Sequence, residues 1–195
     1  MNYLGTVLTG DVHDQHELVK RIAMAKIDFM ALDKVWRRSS LTWRRKLDIF
    51  HALVQSKLLY SLSTVCLTLA QERRLNGFQN RCLRTIIGVA PSFVSRVSNE
   101  EVWRRCERPP ATRLLRKRQL QLLGKILRSP EGHPLRTCSL IPNSCRPVTD
   151  HFVRRRGRPA KEWMKAVMDE ATRIFGGFDI AMRTAQGKLS WEAKL

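Results

Sequence analysis

The chain is short of acid, and nowhere does it group its aspartates. Seventeen Asp and Glu stand against 36 Lys and Arg in 195 residues. The eight aspartates, Asp11, Asp14, Asp28, Asp33, Asp48, Asp150, Asp169 and Asp179, fall singly, with no Asp-Asp pair. Two-metal phosphoryl transfer needs carboxylates that converge on Mg²⁺, so the chain is not expected to catalyse polymerisation or cleavage by itself. No P-loop, Gly-x-Ser-x-Gly or His-Glu-x-x-His motif occurs either. Long apolar runs are also missing. The longest stretch without charge, residues 58–71, has 14 residues and is too short to span a bilayer. No basic segment followed by an apolar run opens the sequence, so no signal peptide is expected. The five cysteines, Cys66, Cys82, Cys106, Cys138 and Cys145, are odd in number. That argues against a disulfide framework and for a reducing compartment, nuclear or cytoplasmic rather than secreted.

Positive charge is what the chain has in excess. The net charge is +19, with Arg the dominant cation. Residues 104–161 hold 16 Lys/Arg and three Asp/Glu. Such asymmetry favours a binding surface for polyanions over general solubility, and guanidinium forks suit phosphates and base edges. RNA or DNA is the expected partner, and no membrane is.

Hydrophobic residues at 43% are enough for a packed core, and their period is helical. Leu18, Ile22, Ala25, Phe29, Leu32 and Trp36 step by fours and threes over a predicted helix at 14–38. Asp14 with Glu17 resembles a capping box there. Leu47, Phe50, Val54 and Leu58 mark a second helix, from about residue 40 to 62. Leu75, Phe78, Cys82 and Ile86 mark a third at 68–87, opened by a Thr68/Gln71 box and closed by Gly88. Ser98 and Glu101 cap a short helix to Cys106, and Pro109-Pro110 stop it. A helix over 111–128 carries Leu115, Leu122 and Ile126 on one side and Arg113, Arg116, Lys117 and Arg118 in its first half. Residues 129–153 lack periodicity and hold four of the eight prolines. Pro159 opens a last clear helix, and the tail suits one more weak one.

The predicted fold is mostly α: a helical bundle with a short N-terminal strand remnant and a loop-rich basic C-terminal extension. Its segments are a strand at 1–10 with no partner of its own, a bundle at 11–90, a helical connector at 91–128, a basic loop-rich segment at 129–158, and a C-terminal helix and tail at 159–195.

Three further groups of residues bear on function. His133, Cys138, Cys145 and His151 in the irregular stretch could supply four zinc ligands, although C-x2-C is absent. No cofactor is required, and a structural zinc is the one candidate. Arg154-Arg155-Arg156-Gly157-Arg158-Pro159 resembles an AT-hook core, a phosphate-binding arm or a nuclear localisation signal. Trp36, Trp43 and Trp103 each precede two arginines, a pattern that can stack bases, yet their places on or near apolar stripes favour core packing. The expected nucleic-acid contacts are Arg113, Arg116, Lys117, Arg118, Arg154, Arg155, Arg156 and Arg158. A helical protein-interaction module with an incidental basic surface is the alternative.

The order of several segments resembles the C-terminal part of a non-LTR (LINE-type) retrotransposon reverse transcriptase. The likeness begins at Asn2-Tyr3-Leu4-Gly5. It continues through Lys46-Leu47-Asp48-Ile49-Phe50-His51-Ala52-Leu53-Val54 and Leu58-Leu59-Tyr60-Ser61. Its most specific part is Leu75-Asn76-Gly77-Phe78-Gln79-Asn80-Arg81-Cys82-Leu83-Arg84-Thr85-Ile86-Ile87-Gly88. Arg118-Gln119-Leu120-Gln121-Leu122-Leu123-Gly124-Lys125-Ile126-Leu127-Arg128 and the Arg155–Pro159 run with Trp163 extend it to about residue 175. The resemblance implies the end of the palm, a thumb that holds template–primer duplex, and a basic extension that handles RNA or target DNA. It also implies a palm-bearing segment as partner in a longer polyprotein. The fingers and catalytic aspartates of the family are absent. Tyr60-Ser61 stands where the family has an aromatic-Gly, and Gly124-Lys125 where it has Gly-His.

Overall fold

The computed structural model describes residues 2–3, 6–7, 15–148 and 162–195. It is mostly helical, as the periodicity predicts, and divides into two compact units, Met1–Leu115 and Arg116–Leu195. No helix among the described residues is long and apolar enough to cross a membrane.

The N-terminal unit starts with β1 (Asn2–Tyr3) and β2 (Thr6–Val7), paired antiparallel. The strand expected to lack a partner therefore pairs within its own segment. The predicted first helix is broken at Leu32 into α1 (Gln15–Ala31) and α2 (Asp33–Arg38). The Trp36 indole causes the break: its Nε1 donates to the Phe29 carbonyl at 2.7 Å, and its ring stacks on Phe29 with centroids 5.1 Å apart. A side-chain donor on a helix carbonyl is one of the ordinary causes of a break in the ladder. The expected Asp14/Glu17 capping box lies outside the described residues at its Asp14 half. Glu17 accepts from Arg21 Nε at 2.5 Å in a buried pair.

The second predicted helix is α3 (Trp43–Ile49), a π-helical stretch Phe50–Gln55, and α4 (Ser56–Leu58). It ends with its stripe at Leu58, short of the expected residue 62, and Ser61 then takes a left-handed conformation at φ +66° before a 3₁₀ turn at Leu62–Thr64. α5 (Leu69–Ile87) carries both halves of its capping box, Thr68 N–H to Gln71 Oε1 at 2.7 Å and Gln71 N–H to Thr68 Oγ1 at 3.3 Å. Gly88 closes it at φ +70°. α6 (Ser92–Ser95), unforeseen in the sequence, precedes α7 (Asn99–Cys106). The core of this unit holds Leu18, Trp36, Leu47, Phe50, Val54, Leu58, Leu75, Phe78, Leu83 and Val102. Burial lifts the Cys82 thiol to about 12 and the Cys106 thiol to about 11. Both therefore serve as small apolar side chains at neutral pH, not as thiolates.

α8 (Ala111–Arg128) runs through the boundary between the units. In the C-terminal unit it is followed by α9 (Pro134–Thr137), a Leu140–Pro147 bridge, α10 (Trp163–Phe175), α11 (Phe178–Gln186) and α12 (Lys188–Ala193). Two short helices thus replace the single weak one expected in the tail. The core here gathers Leu120, Leu123, Ile126, Leu127, Met164, Val167, Met168 and Phe175 around a fully buried Trp191. The Trp191 ring stacks on Phe175 at 4.4 Å and its Nε1 donates to the Leu120 carbonyl at 2.9 Å. Gly124 makes room for that ring, since a Cβ there would lie 2.6 Å from Trp191 Nε1.

Candidate nucleic-acid interface

α8 holds the one cluster of expected contacts that the described residues include. It contains no acidic residue along its whole length. Pro109-Pro110 ends the preceding segment, and α5 supplies the cap: Gln79 Oε1 accepts from Ala111 N–H at 2.7 Å, and Asn76 Oδ1 accepts from Thr112 N–H at 3.1 Å. Two side-chain amides one turn apart on α5 thus satisfy the first free donors of α8. Gln79 also donates to the Pro109 carbonyl at 3.0 Å.

Arg113, Arg116, Lys117 and Arg118 are all exposed. Within the C-terminal unit the buried side of α8 is Leu120, Leu123, Gly124, Ile126 and Leu127. Leu120 takes the core place that the stripe gave to Leu122, which is half-buried. Lys117, Arg118, Gln121 and Lys125 emerge on the opposite side at helical spacing, all exposed. Arg113, Lys117 and Lys125 enter no ion pair among the described residues. Arg116 is nearer to compensation, because its charge helps to lower the Glu170 carboxyl, after the hydrogen bond from Arg173. Arg128 is already engaged, since it donates to the Ala185 carbonyl at 3.0 Å.

This arrangement is unfavourable to the free helix. Arg113 sits in the first turn, where the macrodipole disfavours a cation by roughly 0.3–1 kcal/mol. Arg113–Arg116, Arg113–Lys117 and Arg118–Lys125 are like-charged neighbours one or two turns apart, the closer of them costing a few tenths of a kcal/mol each. Four arginines elsewhere pair locally with carboxylates: Arg37 with Asp33, Arg108 with Asp48, and Arg104 and Arg105 with Glu101. Hydrogen bonds from Arg104, then Arg105, hold the Glu101 carboxyl down at about 2.

Arg154, Arg155, Arg156 and Arg158 lie outside the described residues, as does His151 of the candidate zinc set. Of the remaining zinc candidates, His133 caps α9, its Nδ1 accepting from Leu135 N–H at 3.2 Å. Cys138 is exposed, and Cys145 packs against the C-terminal core. Among the described residues no group of three His, Cys, Asp or Glu could hold a metal. The tryptophans divide as core packing predicts for most of them. Trp36 and Trp191 are buried and Trp103 and Trp163 half-buried, while Trp43 is exposed with the Arg44 guanidinium 5.3 Å from its ring centre.

Two features escaped sequence reasoning. Lys125 completes the basic face of α8, and its place four residues after Gln121 and eight after Lys117 was the available signal. The Phe93-Val94 pair of α6 belongs to no stripe, and no pattern marked it. Several residues of segment 75–88 are engaged inside their own unit. Asn76 and Gln79 cap α8, Arg84 ties down the following loop, and Gly88 ends α5. Comparison with protein-family models, curated proteins and solved structures returns no match to this chain.

Proposed function

We propose that the chain grips nucleic acid through its phosphates and adds no catalysis of its own. Its contacts in this reading are Arg113, Arg116, Lys117, Arg118 and Lys125 of α8, with Arg154, Arg155, Arg156 and Arg158 of the basic run. The observation that carries the reading is the acid-free exposed side of α8, where Lys117 and Lys125 stand at helical spacing and enter no ion pair among the described residues. The resemblance to the thumb and C-terminal extension of a non-LTR reverse transcriptase supports the same role, a hold on template–primer or target duplex. Its missing aspartates support a grip without an active site, and primer extension with Mg²⁺ should give no product.

The direct test is the double variant Lys117→Gln/Lys125→Gln, measured on RNA and DNA duplexes of unrelated sequence. It should weaken all of them to a similar extent and lower the salt slope by about two, close to one for each phosphate no longer neutralised. Unchanged affinity removes α8 from the interface. Zinc is a separate reading with its own measurement. About one zinc per purified chain supports His133, Cys138, Cys145 and His151 as ligands, and less than about 0.3 rejects them.

One observation favours the second reading, a protein-interaction module. Val19, Ala23, Ile27 and Met30 form an exposed apolar stripe on α1, with Ile27 67% and Met30 63% exposed. A protein partner such as a palm-bearing segment would cover it, and that association would survive moderate salt.

A further inference from the structure

Phe93 is 78% exposed, the most open aromatic side chain among the described residues, and Val94 beside it is 62% exposed. Isolated exposed apolar residues are ordinary; what sets this pair apart is how firmly the backbone beneath it is held. Arg84, buried on α5, reaches the loop from below. Its Nη1 donates to the Ala90 carbonyl at 3.0 Å, and its Nη2 donates to the Val97 carbonyl at 2.7 Å and to Asn99 Oδ1 at 3.1 Å. Ser95 Oγ donates to the Ala90 carbonyl at 2.9 Å. The Pro91 carbonyl accepts from Val94 and Ser95 N–H, both at 2.9 Å, and Arg96 turns left-handed at φ +58° to leave the helix. The loop is thus pinned before and after Phe93, and the ring is presented outward at little further cost in backbone entropy.

The charge of the flanking sequence selects the occupant. From residue 73 to residue 99 there is no Asp or Glu, while Arg73, Arg74, Arg81, Arg84 and Arg96 are present; of the two glutamates that follow, Glu101 is taken by Arg104 and Arg105. Arg73, Arg74, Arg81 and Arg96 are exposed. A rigid aromatic in a stretch rich in guanidiniums and free of acid fits a phosphate strand with an unpaired base better than an apolar protein groove.

We infer that Phe93 is a stacking platform for an unpaired nucleobase, with the exposed Arg81 and Arg96 on the flanking phosphates. This rests on the nucleic-acid reading above and extends it from duplex phosphates to single-stranded bases, on a different unit of the chain from the α8 lysines. Stacking does not select sequence, since every base has a π-face.

The test compares a single-stranded oligonucleotide with a blunt duplex of the same length, using the full chain. Phe93→Ala should weaken single-strand binding roughly 5- to 100-fold and leave duplex affinity, the salt slope and thermal stability unchanged. Phe93→Trp should bind like the parent, and Phe93→Leu should lose most of what Phe93→Ala loses, because it keeps apolar surface and lacks the ring. Equal single-strand affinity for parent and Phe93→Ala overturns the inference and leaves phosphate gripping intact. Recovery by Phe93→Leu, or loss of self-association in Phe93→Ala by sedimentation, overturns it in favour of an apolar protein contact. A parent chain that binds neither strand nor duplex overturns both readings together.

Discussion

Arg84→Met should destabilise the N-terminal unit by about 2 kcal/mol, a fall in melting temperature of roughly 5 °C or more. Methionine replaces much of the volume but none of the hydrogen bonds. The carbonyls of Ala90 and Val97 and the side chain of Asn99 each lose their guanidinium donor, at 3.0, 2.7 and 3.1 Å. A buried acceptor left unmet costs about 1–3 kcal/mol; here the Ala90 carbonyl keeps its bond from Ser95 Oγ and Asn99 is exposed, so the Val97 carbonyl carries most of that cost. Removing the cation also removes its own desolvation cost, and no carboxylate among these partners is left behind unpaired. The total therefore falls below a simple sum for three bonds. Arg84→Lys should recover only part of the loss, because one ammonium cannot span acceptors as far apart in sequence as Ala90 and Asn99. Thermal melts of the parent and both variants check this. A shift under about 2 °C for Arg84→Met contradicts it.

Glycine to alanine should act with opposite signs at two helical positions. At Gly124 a Cβ would lie 2.6 Å from Trp191 Nε1 and 2.8 Å from its Cδ1. The indole has little room to withdraw, being fully buried, stacked on Phe175 at 4.4 Å and bonded to the Leu120 carbonyl. Overpacking of about 1–3 kcal/mol or more, with strain on that bond, outweighs the roughly 1 kcal/mol that Ala offers a helix interior. The net expectation is a loss of about 2 kcal/mol. At Gly77 nothing lies within 4 Å of the added Cβ, so Gly77→Ala should stabilise by about 0.5–1 kcal/mol. Urea unfolding of both variants decides it, and changes of the same sign contradict this packing.

The same residues show what a sequence can and cannot disclose. α5 and α8 were legible because their signals are local: the Thr68/Gln71 box, Gly88, Pro109-Pro110 and a steady apolar period. The polar residues inside α5 were not, since Gln79 finds Ala111 and Arg84 finds Val97 across loops that periodicity does not describe. The break at Leu32 is set by where one indole turns. The second helix ends short of residue 62 and a left-handed Ser61 follows, where no glycine gives warning. On α8 the count of basic residues was legible and their engagement was not. Arg128 is taken by the Ala185 carbonyl, whereas Lys125 is exposed on the face that Lys117 begins. Phe93 escaped because exposure has no period.

The central claim, that the chain holds nucleic acid by its phosphates, is tested most directly by the affinity for a mixed-sequence duplex as salt is raised from about 50 to 200 mM. With some 6–8 phosphates neutralised, log K should fall linearly with log salt at a slope of about −5 to −7, with little dependence on sequence. A slope near zero, or no binding at the low-salt end, would contradict the account.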